Sequence, residues 1–319
     1  VTGRLSDVER DGYGLRASTV PPLAPAVVVT VWNDPGAARS RPMLERLARA
    51  AAPGDLAVAV HSTDPGAESV AVVRALGLRL WCALPYDPIA RELRAKGQGA
   101  AVALARRYAD RAARHRPEVV ELNGEVAWKP DAGASLDALA ATVRDCLATT
   151  RAACGVPLAW TSFDHLGYHR LPWGAIYGAG GVDLATPQVY AAPAEGIGDH
   201  HAAAGRLAAY AAQWAAMVRA GTVRADLAPG GAGHIVYSQV HHLTTAAAVR
   251  VLDSSDTSRA WALPTRCDDA GLRALEVLLT ARRLHGRSAG AVRRAQAAHG
   301  LVEDGIAGPA TLAALGLAP

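Results

Sequence analysis

Chemistry is densest along Glu118-Val-Val-Glu-Leu-Asn-Gly-Glu-Val-Ala-Trp-Lys129. Read as a strand with its exit loop, this segment puts Val119, Glu121, Asn123 and Glu125 on one side, because side chains alternate along a strand. Two carboxylates then converge with one of only two asparagines, Asn33 and Asn123. A charged residue seldom enters an apolar strand without a partner or a purpose. The plain alternative is Glu121 paired with an arginine and Glu125 solvated in a loop. A third acid, Asp164, follows Leu158-Ala-Trp-Thr-Ser-Phe163 and precedes His165. It reads either as a loop cap or as a partner of the other two. Cleaving a glycosidic bond needs one carboxyl kept protonated for the leaving oxygen and another ionised as nucleophile or base. The expected roles are Glu125 as general acid/base, with Asp164 or Glu121 as the ionised partner.

Other strand ends carry polar side chains of the right kind. Gln188 and Tyr190 close Thr186-Pro-Gln-Val-Tyr190, and Tyr237 and Gln239 precede His241-His242. Such groups hold sugar hydroxyls and shield a developing positive charge, or they are ordinary packing with one hydrogen bond each. Asn33, Asp34, Asn123 and Trp128 complete the expected substrate-binding set, Trp128 as a ring on which a sugar stacks. Asp34, Asp64 and Asp87 each precede a proline just after a strand and read first as helix N-caps. Asp34, beside Asn33, is the best placed of the three for function. The pairs His200-His201 and His241-His242 suggest zinc. Adjacent strand residues point to opposite faces, however, so a dipeptide seldom gives two ligands to one ion. Neither a Gly-x-Ser-x-Gly elbow nor a phosphate-cradling glycine loop is present, and the expectation is no metal and no cofactor.

The elements that must position these residues alternate. Apolar runs of strand length occupy Ala26–Trp32, Asp55–His61, Leu78–Leu84, Glu118–Asn123, Pro157–Phe163, Val182–Tyr190, His234–Val240 and Arg259–Leu263. Helical spacing fills Pro42–Ala52, Ala67–Leu76, Ile89–His115, Leu136–Ala153, Arg206–Ala220 and Thr244–Val251. Near-continuous apolar strands separated by helices imply parallel strands covered on both faces, and eight of them favour closure. The expected fold is α/β, a (β/α)8 TIM-like barrel over residues 26–268 after a tail at 1–25, with a short all-α module at 269–319. An open doubly wound sheet is the alternative.

Composition excludes whole classes. In 319 residues, half are apolar and 19% charged, so the chain buries a core and is not disordered. No run approaches the roughly 18 apolar residues of a membrane span. The net charge of +4 comes from scattered arginines rather than a stripe, which argues against nucleic acid. Lysine occurs only at Lys96 and Lys129, and eight Tyr and seven Trp stand against one Phe. Rings with a polar handle suit wet, sugar-facing grooves as well as cores. Cys82, Cys146, Cys154 and Cys267 lack zinc spacing. Cys146 and Cys154 read as flanking a short turn and could pair in an oxidising compartment. The sequence opens at Val1 without a leader-like segment, which leaves the compartment open.

Past residue 268 the texture turns helical. An amphipathic helix at Gly271–Arg283 and a second at Ala289–His299 precede Gly300-Leu-Val-Glu-Asp-Gly-Ile-Ala-Gly-Pro-Ala-Thr311. Gln296, Gly300-Leu301, Asp304-Gly305-Ile306, Gly308-Pro309 and Thr311 resemble the signature of the small three-helix peptidoglycan-binding domain, over about Leu272 to Leu315. Two departures stand out: Ala295 takes the place of the family's aromatic before Gln296, and its first Asp-Gly loop is deleted between Gly286 and Ser288. The resemblance implies wall binding through Gln296, Asp304, Gly305 and Thr311. Joined to the barrel, it makes the whole chain look like a phage endolysin or bacterial autolysin. That implies a hydrolase of peptidoglycan glycosidic bonds, monomeric, directed to the cell wall and secreted or released at lysis. Two alternatives remain: a noncatalytic wall-binding or virion-structural protein, and a zinc-dependent amidase.

Overall fold

The computed structural model describes residues 27–32, 41–130, 134–163, 166–167, 169–190, 200–227, 237–244, 247–251, 268–286, 290–305 and 309–317. Its strands are β1 (Val27–Trp32), β2 (Leu56–His61), β3 (Arg79–Pro85), β4 (Val119–Asn123), β5 (Leu158–Phe163), β6 (Leu184–Tyr190), β7 (Tyr237–Thr244) and β8 (Ala247–Val251). The helices are α1 (Arg41–Ala50), α2 (Ala67–Ala75), α3 (Asp87–Lys96), α4 (Gln98–Arg114), α5 (Leu136–Cys154), α6 (Trp173–Tyr177), α7 (His200–Arg219), α8 (Asp268–His285), α9 (Ala291–Ala298) and α10 (Pro309–Ala314).

Strands β1 to β6 form a curled sheet in which every neighbouring pair is parallel. β7 adds to β6 in the same sense, and β8 runs antiparallel to both β7 and β1, closing the barrel. The expectation of a regular (β/α)8 barrel is corrected here. The eighth strand is reversed, and only residues 245 and 246 separate β7 from β8, so no crossover helix joins them. Antiparallel strands accept such a hairpin-length connection, whereas parallel ones do not. The stretch expected as a helix at Thr244–Val251 supplies this strand. Its Ala-rich sequence favours a helix locally, and pairing with Val27–Val31 of β1 overrides that preference. The run at Arg259–Leu263 lies outside the described residues.

Both strand faces are apolar, as parallel sheets covered by helices require. The outward face, with Val29, Val31, Leu56, Val58, Val60 and Leu80, packs under α1 and α8. The inward face holds Val28, Ala57, Ala59, Trp81, Ala83, Val119, Ala159 and Leu184. Four alanines there leave room for the single indole of Trp81. A second outer core under α3 to α7 contains Tyr86, Trp128, Trp160, Trp173, Tyr177, Tyr210 and Trp214. The single helix expected over Ile89–His115 is two, divided at Gly97, whose φ of 88° no helix tolerates.

Helix α5 is bounded as its sequence suggests. The Ser135 side chain accepts a hydrogen bond from the Ala138 N–H (3.1 Å), and Gly155 ends the helix in the left-handed region. Cys146 and Cys154 both lie on this helix, with free thiols, so the turn expected between them does not exist. Eight residues of helix separate them by about 12 Å, far beyond the Cα spacing of roughly 4.4–6.8 Å that a disulfide spans.

Helix α8 does two jobs. Its Leu275, Val277, Leu278, Leu279 and Ala281 share one core with Leu44 and Leu47 of α1 and with β1 and β2. Ala291, Val292 and Ala295 of α9 join that same core. Arg46 of α1 forms a two-pronged ion pair with Glu276 (2.5 and 2.6 Å), and Arg282 pairs with Asp55 at the start of β2. Asp55 marks the amino end of the barrel. α8 therefore descends toward that end, and the final helices follow on the side away from the carboxyl-end mouth.

Candidate functional site

The alternation expected for β4 holds as far as Asn123. Val119 belongs to the barrel interior with Ala83 and Ala159, and Glu121 and Asn123 follow it on the same face. Glu121 is 2% exposed. The Thr161 hydroxyl donates to its Oε1 (2.5 Å), and Thr161 Oγ1 lies 2.6 Å from Thr186 Oγ1. A threonine hydroxyl accompanies this carboxylate. Asn123, nearer the mouth, is half-buried, with Nδ2 3.5 Å from His61 Nε2 at the end of β2. One polar strip thus runs from β2 through β4 and β5 to β6.

Glu125 departs from that strip. The strand ends at Asn123, and at Glu125 φ is −127° and ψ −114°, so strand alternation no longer orients its side chain. The loop instead turns through a single 3-10 turn at Val126–Trp128. Asp87 fixes it: one carboxylate oxygen accepts from the Glu125 N–H (2.7 Å) and the other from the Ala127 N–H (3.3 Å). The expectation that Asp87 caps its own helix is corrected accordingly. Tyr86 holds the N-cap position of α3, and Asp87 restrains the neighbouring loop. Asp64 is likewise no cap: α2 begins after Gly66 without a side-chain cap, and the Asp64 carboxylate lies 3.8 Å from Arg111.

Beneath this loop lies an aromatic wedge. Trp128 is fully buried, donates from Nε1 to the Tyr86 carbonyl (3.2 Å), and meets Tyr86 and Trp160 with ring centroids 6.1 and 5.9 Å away. It has no open face for a sugar, so its expected stacking role is corrected to that of a loop anchor. Gly124 passes so close that a Cβ there would sit 2.3 Å from Trp160 Cζ2 and 2.9 Å from Trp128 Cδ1. Only glycine fits between the strand end and these rings.

On the rim, Lys129 follows the anchored tryptophan. Its Nζ lies 4.8 Å from the ring centroid of Phe163, the last residue of β5, and His169 stacks on that ring at 3.8 Å. The Arg94 Nη2 donates to the Lys129 carbonyl (2.7 Å), so the backbone under the ammonium is fixed. His61, Thr161, Thr186 and Lys129 were not selected on sequence grounds. Lys129 alone carried a signal, being one of two lysines.

Several expected residues lie outside what the structure describes. Asn33, Asp34, Asp164 and His165 are not among the described residues. Gln188, Tyr190, Tyr237 and Gln239 lie on β6 and β7 with backbone described and side chains not. Register sets Gln188 opposite Phe163 and Tyr237, and Tyr190 opposite Gln239, on consecutive strands. The zinc-suggestive His200, His201, His241 and His242 fall in the same category. Among the described residues, no group of His, Cys, Asp and Glu is arranged to hold a metal ion, and no helix is long and apolar enough to cross a membrane.

At the opposite end, the four residues expected to bind wall meet one another. Gln296, 2% exposed, donates from Nε2 to Asp304 Oδ1 (2.7 Å) and Thr311 Oγ1 (3.1 Å), while its Oε1 accepts from the Gly305 N–H (2.8 Å). Gly305 adopts φ 76°, which favours glycine at this turn. These residues knot α9, the following turn and α10 together. Residues 286–315 match the Putative peptidoglycan binding domain family. The match supports cell-wall association, with a wall glycan as partner, and its span begins just after α8 ends. No curated protein and no solved structure matches the chain significantly.

Proposed function

We propose that the chain is a peptidoglycan hydrolase that cleaves glycosidic bonds at the carboxyl-end mouth of a glycosidase-like barrel, where barrel enzymes keep their chemistry. Glu125 acts as general acid/base on a loop that Asp87 and Trp128 hold in place. Glu121, buried and hydrogen-bonded to Thr161, orients Asn123 and the polar strip from below. That leaves Asp164, next after β5, as the ionised partner. In this reading Asn123 and His61 hold a sugar hydroxyl, and Gln188, Tyr190, Tyr237 and Gln239 share that task. The observation that carries this reading is the union of the wall-binding match at 286–315 with a barrel whose β4 exit loop is doubly clamped around a half-buried glutamate.

A second reading, a noncatalytic wall-binding or virion-structural protein, draws on the burial of Glu121. Incubating the purified chain with isolated peptidoglycan separates the two. Newly formed reducing ends support the hydrolase, amines released without reducing ends point to an amidase, and adsorption without either product supports the binder.

A further inference from the structure

Helices that follow parallel barrel strands run the same way, so their carboxyl ends meet at the amino end of the barrel, and each such end favours a cation. Charge is thereby collected on one face. Arg49 stands in the last turn of α1, Arg74 in that of α2, Arg114 in that of α4 and Arg283 in that of α8. All four are exposed, as is Arg116 in the turn after α4. Contacts tie these turns to the barrel base: Arg74 Nη2 donates to the His115 carbonyl (2.7 Å), Arg79 at the start of β3 pairs with Glu118, and Arg282 pairs with Asp55. Residues 47–55, 72–79, 111–119 and 282–286, which make up this end of the four helices and the turns after them, hold eight arginines against two acids. Both acids, Asp55 and Glu118, are already paired. A surplus of six in a chain of net charge +4 leaves the remainder two negative. The stretches outside the described residues that adjoin this end in sequence, 1–26, 228–236, 252–267 and 287–289, hold six arginines against five acids and so are no sink for that surplus.

Arg116 adds an observation that the helix dipole does not explain. Among the described residues it is the only non-glycine with a positive φ, 43°, a conformation that suits glycine and strains a residue with a side chain. Strain kept at an exposed arginine points to a use for its charge. We propose that Arg283, Arg49, Arg74, Arg114 and Arg116 form a second wall-contact surface, on the barrel itself, that takes the carboxylates of peptidoglycan's peptide stems. The surface is continuous with the matched span, because α8 carries Arg283 directly into residues 286–315. Peptidoglycan is a neutral sugar backbone with anionic peptide arms, so glycan held by that span brings charge of the opposite sign to the base. The uneven field also turns the protein base-first as it approaches the wall. The proposal rests on the wall association and is independent of the hydrolase reading.

Sedimentation of the full-length protein with isolated peptidoglycan tests this on three preparations: wall with its phosphodiester polymers retained, wall from which they have been extracted, and extracted wall with its carboxyls amidated. The wild type is expected to bind extracted wall about tenfold more tightly than the amidated form, the combined scale of several exposed charge contacts, with the preference shrinking as salt rises. The variant Arg49→Gln/Arg114→Gln/Arg116→Gly/Arg283→Gln, which keeps Arg74 on the His115 carbonyl, is expected to bind both forms alike, and its melting temperature checks that it folds. Arg116→Gly alone is expected to melt no lower than the wild type, since glycine accepts that φ, while losing about two- to threefold of the preference. An arginine kept for structure alone would show the reverse. Equal binding of the wild type to the charged and amidated forms, or a preference unchanged in the quadruple variant, overturns the proposal. Binding that disappears when the phosphodiester polymers are extracted also overturns it and makes those polymers the partner. Reducing-end release from the same preparations is scored in parallel: its absence removes the hydrolase reading and leaves the cationic surface standing.

Discussion

Arg282 Nε lies 3.3 Å from Asp55 Oδ2, across 227 residues of sequence, with both side chains buried. The pair fastens the lower end of α8, the helix that leads into the matched residues 286–315, to the start of β2. Breaking a buried pair by removing one partner leaves an uncompensated charge and costs about 3–5 kcal/mol. Asp55→Ala is therefore expected to lower unfolding stability by that order in urea titrations. The double variant Asp55→Ala/Arg282→Met recovers a clear part of the loss, because the stranded charge goes too. An Asp55→Ala loss no larger than that of the double variant would show that the pair carries no coupling.

Gly124 gives the sharpest steric test. Gly124→Ala must displace Trp160 or Trp128, and forcing an extra methyl into a packed site costs typically 1–3 kcal/mol. The expected result is a lowered melting temperature together with altered near-ultraviolet circular dichroism from the displaced indoles. A variant as stable as the wild type would mean the rings yield freely.

Asp87 separates positioning from folding. Asp87→Ala removes both acceptors for the Glu125 and Ala127 N–H groups, a loss comparable to deleting a helix cap, about 1 kcal/mol. Hydrolytic rate is expected to fall much further than stability, since the loop bearing Glu125 is released while the barrel core stays intact. Adsorption to isolated wall, carried at the other end of the barrel, is expected to persist.

Gln296 is expected to behave in the opposite way. Gln296→Ala leaves Asp304, Gly305 and Thr311 without their shared partner, and a buried group left unsatisfied costs about 1–3 kcal/mol. Wall adsorption in a pull-down should drop while cleavage of short soluble glycans is retained. Undiminished adsorption would place the wall-binding surface elsewhere.

Burial pushes the Cys82 and Cys146 thiols up to about 12, and that of Cys154 to about 11. A folded-state value raised above the unfolded one means that stability is fully present below the unfolded value. It is lost as pH rises through the folded value. The ordinary value is 9.0, so these thiols are expected to destabilise the fold progressively from about pH 9 to 12. They should also resist alkylation at pH 8 until the protein unfolds, which peptide mapping after iodoacetamide treatment reads directly.

Much of the barrel is legible in the sequence because its strands are near-continuous apolar runs, a signal that tertiary context rarely reverses. β1 to β7 fall within three residues of their expected starts, and the inward placement of Glu121 and Asn123 follows from alternation alone. What the sequence hides is governed by partners. β8 is an Ala-rich segment that becomes a strand only because the edges of β1 and β7 await it. Trp128 looks like a stacking platform until Tyr86 and Trp160 enclose it, and Asp87 looks like a cap until the β4 exit loop comes to it. Likewise, Gln296 belongs to a family signature whose members are drawn together by hydrogen bonds only the folded chain reveals.

In the proposed hydrolase, Glu125 transfers a proton at a glycosidic oxygen. The most direct test of that step is the rate of reducing-end formation from isolated peptidoglycan by the wild type and by Glu125→Gln, which keeps the shape and removes the proton. Measurable release by the wild type is expected, with a fall of about 10²–10⁴-fold in the variant and wall adsorption unchanged. Equal release by the two proteins, or none by the wild type, would contradict it.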